Sequence, residues 1–188
     1  MMDVPELEDL GDLTGRRVLV RCDFNVPLAN GMITDDLRIR AAVPTLRYLI
    51  DAGAHVTACS HLGRPKGAQD MEYAMTSVRA RLAELVPGVE VLENLRFDAG
   101  ETANDPVFVD RLIEGQDAYV NDAFGASHRT HASVVGPPRF LPSAAGRLLA
   151  REVEVLGGLR TSARLPFVGI LGGAKVCDKR GAIEALLD

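Results

Sequence analysis

Hydrophobic positions along this 188-residue chain fall into short runs separated by spaced stripes, the two kinds alternating. Five runs read as strands: Arg17-Val18-Leu19-Val20-Arg21-Cys22, His55-Val56-Thr57-Ala58-Cys59, Val89-Glu90-Val91-Leu92, Ala118-Tyr119-Val120 and Phe167-Val168-Gly169-Ile170-Leu171. The first, second and last carry few polar residues, whereas a strand with one wet face alternates strictly. That pattern predicts strands covered on both faces of a parallel sheet.

The stripes between them have helical spacing. Val43, Leu46, Leu49 and Ile50 form one that stops at Gly53, a C-cap signal, and Thr34-Asp35-Asp36 supplies a capping residue and first-turn acids. Pro44 has no amide hydrogen, so it must start the main helix or kink it. Val78, Leu82 and Leu85 form a second stripe, ending before Pro87-Gly88. Phe108, Val109, Leu112 and Ile113 form a third, opened by Asp105-Pro106. Leu148, Leu149, Val153, Val155 and Leu156 form a fourth, ending at Gly157-Gly158, and a fifth begins near Ala174. Strands alternating with helices predict an α/β fold of three layers, Rossmann-like, with a largely parallel sheet and helices on both faces. Residues 62–75 and 121–146 read as long loops rich in Gly, Pro and Ser, and loops of that length in a compact domain are usually functional.

Composition narrows the classes. No apolar run approaches the roughly 18 residues of a membrane span. The acidic start, Met1-Met2-Asp3-Val4-Pro5-Glu6, does not read as a secretory signal, so a cytoplasmic location is expected and no membrane partner. Cys22, Cys59 and Cys177 are widely spaced without a C-x-x-C pair, which leaves zinc unsupported and predicts small buried residues. A net charge of −5 and the absence of Trp argue against a nucleic-acid partner.

Chemistry-bearing residues concentrate just after the strands. Arg21-Cys22-Asp23-Phe24-Asn25 follows the first, Ser60-His61-Leu62-Gly63-Arg64-Pro65-Lys66 the second and Asn94-Leu95-Arg96-Phe97 the third. Asn121 to Arg129 follows the fourth and Gly172-Gly173-Ala174-Lys175 the fifth. Ligands of open α/β sheets bind outside the carboxyl ends of the strands, so these loops can pool Arg21, His61, Arg64, Arg129 and Lys175, with Arg38 from the segment after the first strand. Close cations repel by about 4 kcal/mol per pair at an effective dielectric of about 20. They are tolerated together when an anion fills the space between them. Arg and His suit carboxylate and phosphate oxygens, while Asp23 and Asn25 add partners for a hydroxyl group. A small phosphorylated hydroxy-acid fits the set.

Gly172 and Gly173 lead into a helix start, where free amides attract phosphate, and Lys175 and Lys179 are four apart. Gly-rich turns of this kind are also common packing devices. Arg38 and Arg40 can equally be solvated helix charges. Arg96 can pair with Glu93 or Asp122, Asp122 can cap a turn, and His128 and His131 can serve loop backbone. No G-x-S-x-G elbow supports a serine nucleophile.

The chain resembles the phosphoglycerate kinase family. The resemblance rests on six motifs in family order: Arg21-x-Asp23-Phe24-Asn25-Val26-Pro27, Ile33-Thr34-Asp35-Asp36-x-Arg38-Ile39-Arg40, Ser60-His61-Leu62-Gly63-Arg64-Pro65-Lys66-Gly67, Glu93-Asn94-Leu95-Arg96-Phe97, Asn121-Asp122-Ala123-Phe124-Gly125 and Leu171-Gly172-Gly173-Ala174-Lys175-Val176. It implies one domain of a two-domain kinase fold, with 1–171 binding 3-phosphoglycerate or 1,3-bisphosphoglycerate and 172–188 beginning the nucleotide-side segment. The domain holding most of the MgATP or MgADP site lies outside the 188 residues, so the chain is expected to bind phosphoglycerate without completing a turnover alone.

By position, the resemblance implies phosphoglycerate binding by Asp23, Asn25, Arg38, His61, Arg64 and Arg129, with Arg21 in the same basic patch. It implies that Gly172, Gly173, Lys175 and Lys179 meet nucleotide phosphates, and that Arg38, Lys175 and Lys179 serve the transfer. A monomer is expected, with no metal held by this chain's own residues. The family's usual Arg before Pro166-Phe167 is Leu165 here, and Arg164, one residue earlier, is the candidate substitute. The stretch from Glu84 to Leu92 is short by roughly one strand–helix unit, and Arg180 stands at a usually apolar position. A stand-alone anion-binding module remains a competing class. A dinucleotide-binding enzyme is disfavoured because no G-x-G-x-x-G follows the first strand.

Overall fold

The computed structural model describes residues 4–65, 67–162, 166–168, 170 and 181. They fall in two compact units, Val4–Ala150 and the segment from Arg151 onward, and the site described below lies wholly within the first.

In the first unit the elements run β1 (Arg17–Cys22), β2 (Leu28–Ala29), β3 (Met32–Ile33), α1 (Leu37–Asp51), β4 (His55–Cys59), α2 (Thr76–Leu85) and β5 (Glu90–Val91). They continue with α3 (Ala99–Ala103), α4 (Pro106–Ile113), β6 (Ala118–Asp122), α5 (Ala132–Val135) and β7 (Ser143–Ala145), and α6 (Arg147–Ser162) follows. Five strands form one parallel sheet in the order β5-β4-β1-β6-β7. Connections leave β1 toward β4 and leave β6 toward β7, so the direction of winding reverses between β1 and β6. That reversal point is where an open parallel sheet receives its ligand.

Successive residues of β1 face opposite sides, and both sides are covered. Val18, Val20 and Cys22 join Val56, Ala58 and Val120 against Ile39, Leu46 and Leu49 of α1 and Val78 and Leu82 of α2. Leu19 and Tyr119 face Phe108, Val109 and Leu112 of α4 and Ala132 of α5. Each fully buried Leu on these faces contributes about 2 kcal/mol by removal from water. Helices on both faces of a parallel sheet agree with the fold expected from the unbroken apolar runs. Buried Cys22 and Cys59 behave as small apolar residues, and burial pushes the Cys59 thiol up to about 12.

Several element boundaries differ from expectation. α1 runs on both sides of Pro44, because only the Arg40 carbonyl loses its partner there and Arg40 lies on the exposed side. Its start is not capped by Asp36, which pairs instead with Arg40 and Arg81; the Leu37 amide donates to Asp35 at 2.8 Å. Gly53 follows the end of α1 with φ +81°, and Asp105 accepts from the Val107 and Phe108 amides to open α4, as their positions suggest. α6 continues through Gly157-Gly158, since a helix tolerates such glycines at about 1 kcal/mol each.

Within 121–146, read as loop, lie α5 and β7. β7 pairs with β6 through Tyr119, Val120 and Asn121. The strand expected at 167–171 is not present at Phe167, Val168 or Ile170, all exposed; Gly169 and Leu171 lie outside the described residues. The helix expected from Ala174 lies outside them as well, apart from Gly181. No helix among the described residues is long and apolar enough to cross a membrane, and no cluster of His, Cys, Asp and Glu among them could hold a metal ion.

Candidate anion-binding site

The carboxyl ends of β1, β4 and β6 are adjacent, and hydrogen bonds tie their loops together. Phe24 donates its amide to Ser60 Oγ at 2.8 Å, and Gly63 donates its amide to Asn25 Oδ1 at 2.8 Å. The loop after β6 presses against the loop after β1: a Cβ on Gly125 would come within 3.1 Å of Asp23 Oδ2. Arg38, in the first turn of α1, sets Nη1 2.5 Å from the same oxygen. Asn121 organises the β6 loop by donating to Ser127 Oγ at 3.0 Å and accepting from the Ala123 amide at 3.0 Å.

A buried residue from the next loop fixes the loop after β4. Asn94, only 2% exposed, accepts from the Leu62 and Arg96 amides and donates to the Leu62 and Tyr73 carbonyls. All four hydrogen-bonding valences of its carboxamide are used on backbone. Arg96 donates to the Gly63 carbonyl at 2.8 Å, and neither Glu93 nor Asp122 is its partner. Glu93 instead binds Arg79, and Asp122 caps α6 through the Leu148 and Leu149 amides. Asn94 belongs to a quoted motif, but only the structure shows that it holds the loop.

Of the expected ligand-binding residues, Asp23, Asn25, Arg38, His61, Arg64 and Arg129 are brought to this edge. Arg38, Arg64 and Arg129 are exposed, and among the described residues Arg64 and Arg129 form no ion pair with any carboxylate. The Asn25 side-chain oxygen is used by Gly63, leaving its amide hydrogens for a ligand. His61 is 7% exposed, and burial, reinforced by Arg21, Arg96 and Arg129, pushes it down to about 2, so the ring is neutral. The same group of cations, with burial first, lowers Arg96 and His131.

Arg21 departs from the expectation that it faces the ligand. It is wholly buried: Nε donates to Ser133 Oγ at 2.8 Å, Nη1 donates to the Cys22 carbonyl, and Nη2 lies 3.1 Å from His61 Nδ1. Ser133 and Glu101 are further buried polar residues here that sequence reasoning missed. Neither sits in a quoted motif, and a lone Ser or Glu on a short helix carries no periodic signal. Arg164, Gly172, Gly173, Lys175 and Lys179 lie outside the described residues.

A separate cleft of about 690 Å³ lies between β3, the start of α1 and α2. Its cations are neutralised locally, with Arg40 on Asp36 at 2.8 Å and Arg81 on Asp36 and Glu84 at 2.8 and 2.5 Å. It therefore offers an anion nothing comparable to Arg64 and Arg129.

An exposed set of guanidiniums with a neutral imidazole, an amide donor and one carboxylate can clasp a small polyanion bearing a hydroxyl group. Comparison with known proteins agrees with the motifs that line this edge. The model of the family described as phosphoglycerate kinase matches residues 7–91 and 87–188, its two parts meeting where the sequence is expected to be short. A phosphoglycerate kinase of Rubrobacter xylanophilus is 50% identical over 209 aligned positions, covering 99% of this chain and 53% of the relative. One from Dictyoglomus turgidum is 49% identical, covering 94% and 50%. Among solved structures, phosphoglycerate kinase from Coxiella burnetii superposes with a TM-score of 0.88 at 34% identity, over 98% of this chain and 52% of that one. The Pyrococcus horikoshii enzyme gives 0.86 at 32% identity, over 97% and 52%. The chain thus spans about half the length of the curated relatives it matches, and the match takes in nearly all of its own residues: it belongs to the phosphoglycerate kinase family.

Proposed function

We propose that this chain is the phosphoglycerate-binding half of a phosphoglycerate kinase. In that reaction the acyl-phosphate bond of 1,3-bisphosphoglycerate breaks. The phosphoryl group passes to the terminal oxygen of ADP, giving ATP and the carboxylate of 3-phosphoglycerate. The observation that carries the reading is the pair of exposed guanidiniums, Arg64 and Arg129, without carboxylate partners among the described residues, beside Arg38 and neutral His61. Surface arginines normally find acids or water; two that converge with a third on a strand edge are suited to a bound phosphate.

In this reading Arg64, Arg129 and His61 bind the phosphate and carboxylate oxygens, and Asn25 and Asp23 orient the hydroxyl group. Arg38, released from Asp23, neutralises charge as the phosphoryl group crosses. Phosphoryl transfer asks mainly for positioning and electrostatic stabilisation, and the substrate carboxylate needs no general base because it is already ionised at neutral pH. Arg164 is carried as a further phosphate ligand, and Gly172, Gly173, Lys175 and Lys179 as the residues meeting nucleotide phosphates. Arg21 enters as support behind His61. MgATP and MgADP are substrates held mainly by a nucleotide domain, with 1–171 forming the phosphoglycerate domain. The protein is further proposed to be cytoplasmic and monomeric, closing about a hinge to bring the two substrates together.

Calorimetric titration of the chain with 3-phosphoglycerate, set against inorganic sulfate, tests the assignment. Saturable binding of 3-phosphoglycerate at concentrations where sulfate gives no heat is the expected result. Equal affinity for both would reduce the site to a generic anion trap.

A further inference from the structure

The buried polar groups behind His61 form a chain with a single direction. Glu101 is wholly buried; its Oε2 accepts from the Ser133 amide at 2.9 Å and its Oε1 accepts from the Ser133 hydroxyl at 2.7 Å. A hydroxyl carries one hydrogen. Since that hydrogen goes to Glu101, Ser133 Oγ can only accept from Arg21 Nε, which it does at 2.8 Å. Arg21 in turn sets Nη2 3.1 Å from His61 Nδ1. A guanidinium has donors and no acceptor, so Nδ1 must be the acceptor. The hydrogen of the neutral ring then lies on Nε2.

We infer that Glu101 and Ser133 are positioning residues which, acting through Arg21, lock His61 as the uncharged Nε2–H tautomer that the anion meets. The role toward ligand rests on the phosphoglycerate reading; the tautomer does not. The arrangement has a physical use. Arg38, Arg64 and Arg129 already crowd the edge with positive charge, and one more cation would add about 4 kcal/mol of repulsion per close pair at a dielectric of about 20. A neutral N–H of fixed direction adds a hydrogen bond without that repulsion. With Nδ1 protonated instead, two N–H groups would face each other inside the protein, each denied a partner. The other group near Glu101, His131 Nδ1 at 3.7 Å from Oε1, lies beyond hydrogen-bond distance and does not replace Ser133.

Nitrogen NMR of the histidine-labelled 188-residue chain at neutral pH tests the lock. The wild type is expected to show a pyridine-type Nδ1 and a pyrrole-type Nε2 for His61, without ligand. Ser133→Ala and Glu101→Gln are expected to mix the two tautomers and to weaken 3-phosphoglycerate binding about tenfold, the size of one hydrogen bond to a charged group. A wild-type His61 protonated on Nδ1 overturns the inference, and this reading stands even where a variant fails to fold. Folded variants with unchanged ring nitrogens and unchanged affinity also overturn it. A wild-type chain with the expected tautomer that binds no 3-phosphoglycerate supports the lock and sinks the phosphoglycerate reading alone.

Discussion

Asp122 Oδ1 accepts a hydrogen bond from the backbone amide of Leu148 at 2.9 Å, joining the end of β6 to the first turn of α6. The Leu149 amide reaches the same oxygen at 3.3 Å, while Oδ2 has no hydrogen-bond partner among the described residues. Gly146 permits the approach, since a Cβ there would lie 2.3 Å from Oδ1. A half-satisfied carboxylate with no exposed surface is held in place by the positive end of α6 and strained by loss of water.

That strain has a definite pH signature. Burial raises Asp122 to about 6, against the opposing influence of the nearby Thr45 side chain and of the Leu149 and Leu148 amides. A carboxyl whose folded pKa exceeds its unfolded one binds protons more tightly when folded, so its contribution to stability grows as pH falls from about 6 to about 4 and is flat above. The span is at most about 3 kcal/mol. Denaturant unfolding of wild type and Asp122→Asn at several pH values should show the wild type gaining on the variant through that window. A difference independent of pH would mean the carboxyl is not shifted. His61 slopes the other way: its folded pKa lies far below 6.5, so its contribution is complete above that pH and declines as the solution becomes more acid.

Asn94 offers a test of the loop that carries His61 and Arg64. Its amide nitrogen donates to the Leu62 carbonyl at 2.7 Å and the Tyr73 carbonyl at 2.9 Å. Asn94→Asp keeps the shape and replaces both donors with an acceptor facing two carbonyls. The expected loss is about 3 kcal/mol of stability, with weaker 3-phosphoglycerate binding. A variant as stable as the wild type would show that these bonds contribute little.

For Arg38 the expectation separates binding from stability. Its pair with Asp23 is half exposed on the Arg side, 51%, and such pairs contribute under about 1 kcal/mol. Arg38→Ala should therefore leave the melting temperature within a few degrees while lowering 3-phosphoglycerate affinity by about tenfold or more. Arg38→Lys should fall between, keeping charge and losing the fork. Unchanged affinity in Arg38→Ala would remove this residue from the site.

How much of this was legible in sequence depends on what each element needs in order to exist. β1, β4 and α4 announce themselves because apolar runs and stripes record burial on defined faces. β7 could not be read: Ser143-Ala144-Ala145 has no branched or aromatic residue, and its strand exists because β6 offers an open edge. The β2–β3 hairpin was not read, because strands of two residues carry no period; its one signal was Asn30-Gly31, whose φ values of +52° and +75° are those a two-residue hairpin turn demands. At the site, Arg38, Arg64 and Arg129 stand out because each is a cation in a segment that follows a strand, a placement the sequence shows directly. The Glu101–Ser133–Arg21 chain is invisible there, since its members are 32 and 112 residues apart and only the packing of α3 and α5 against β1 brings them together.

Gly63 combines two constraints that can be separated experimentally. It sits at φ +62°, and a Cβ would fall 2.3 and 2.4 Å from Cδ1 and Cε1 of Tyr73. Its amide holds Asn25 and its carbonyl receives Arg96, so any shift moves the loop between His61 and Arg64. Gly63→Ala should cost about 2–4 kcal/mol, the sum of left-handed backbone strain and forced repacking. Adding Tyr73→Ala removes the ring and should recover the repacking part, leaving about 1 kcal/mol that belongs to the backbone alone. Urea unfolding of the two single variants and the double variant measures the division. If the double variant is no more stable than the sum of the two single losses allows, the ring is not the obstacle and the glycine is required solely for its backbone conformation.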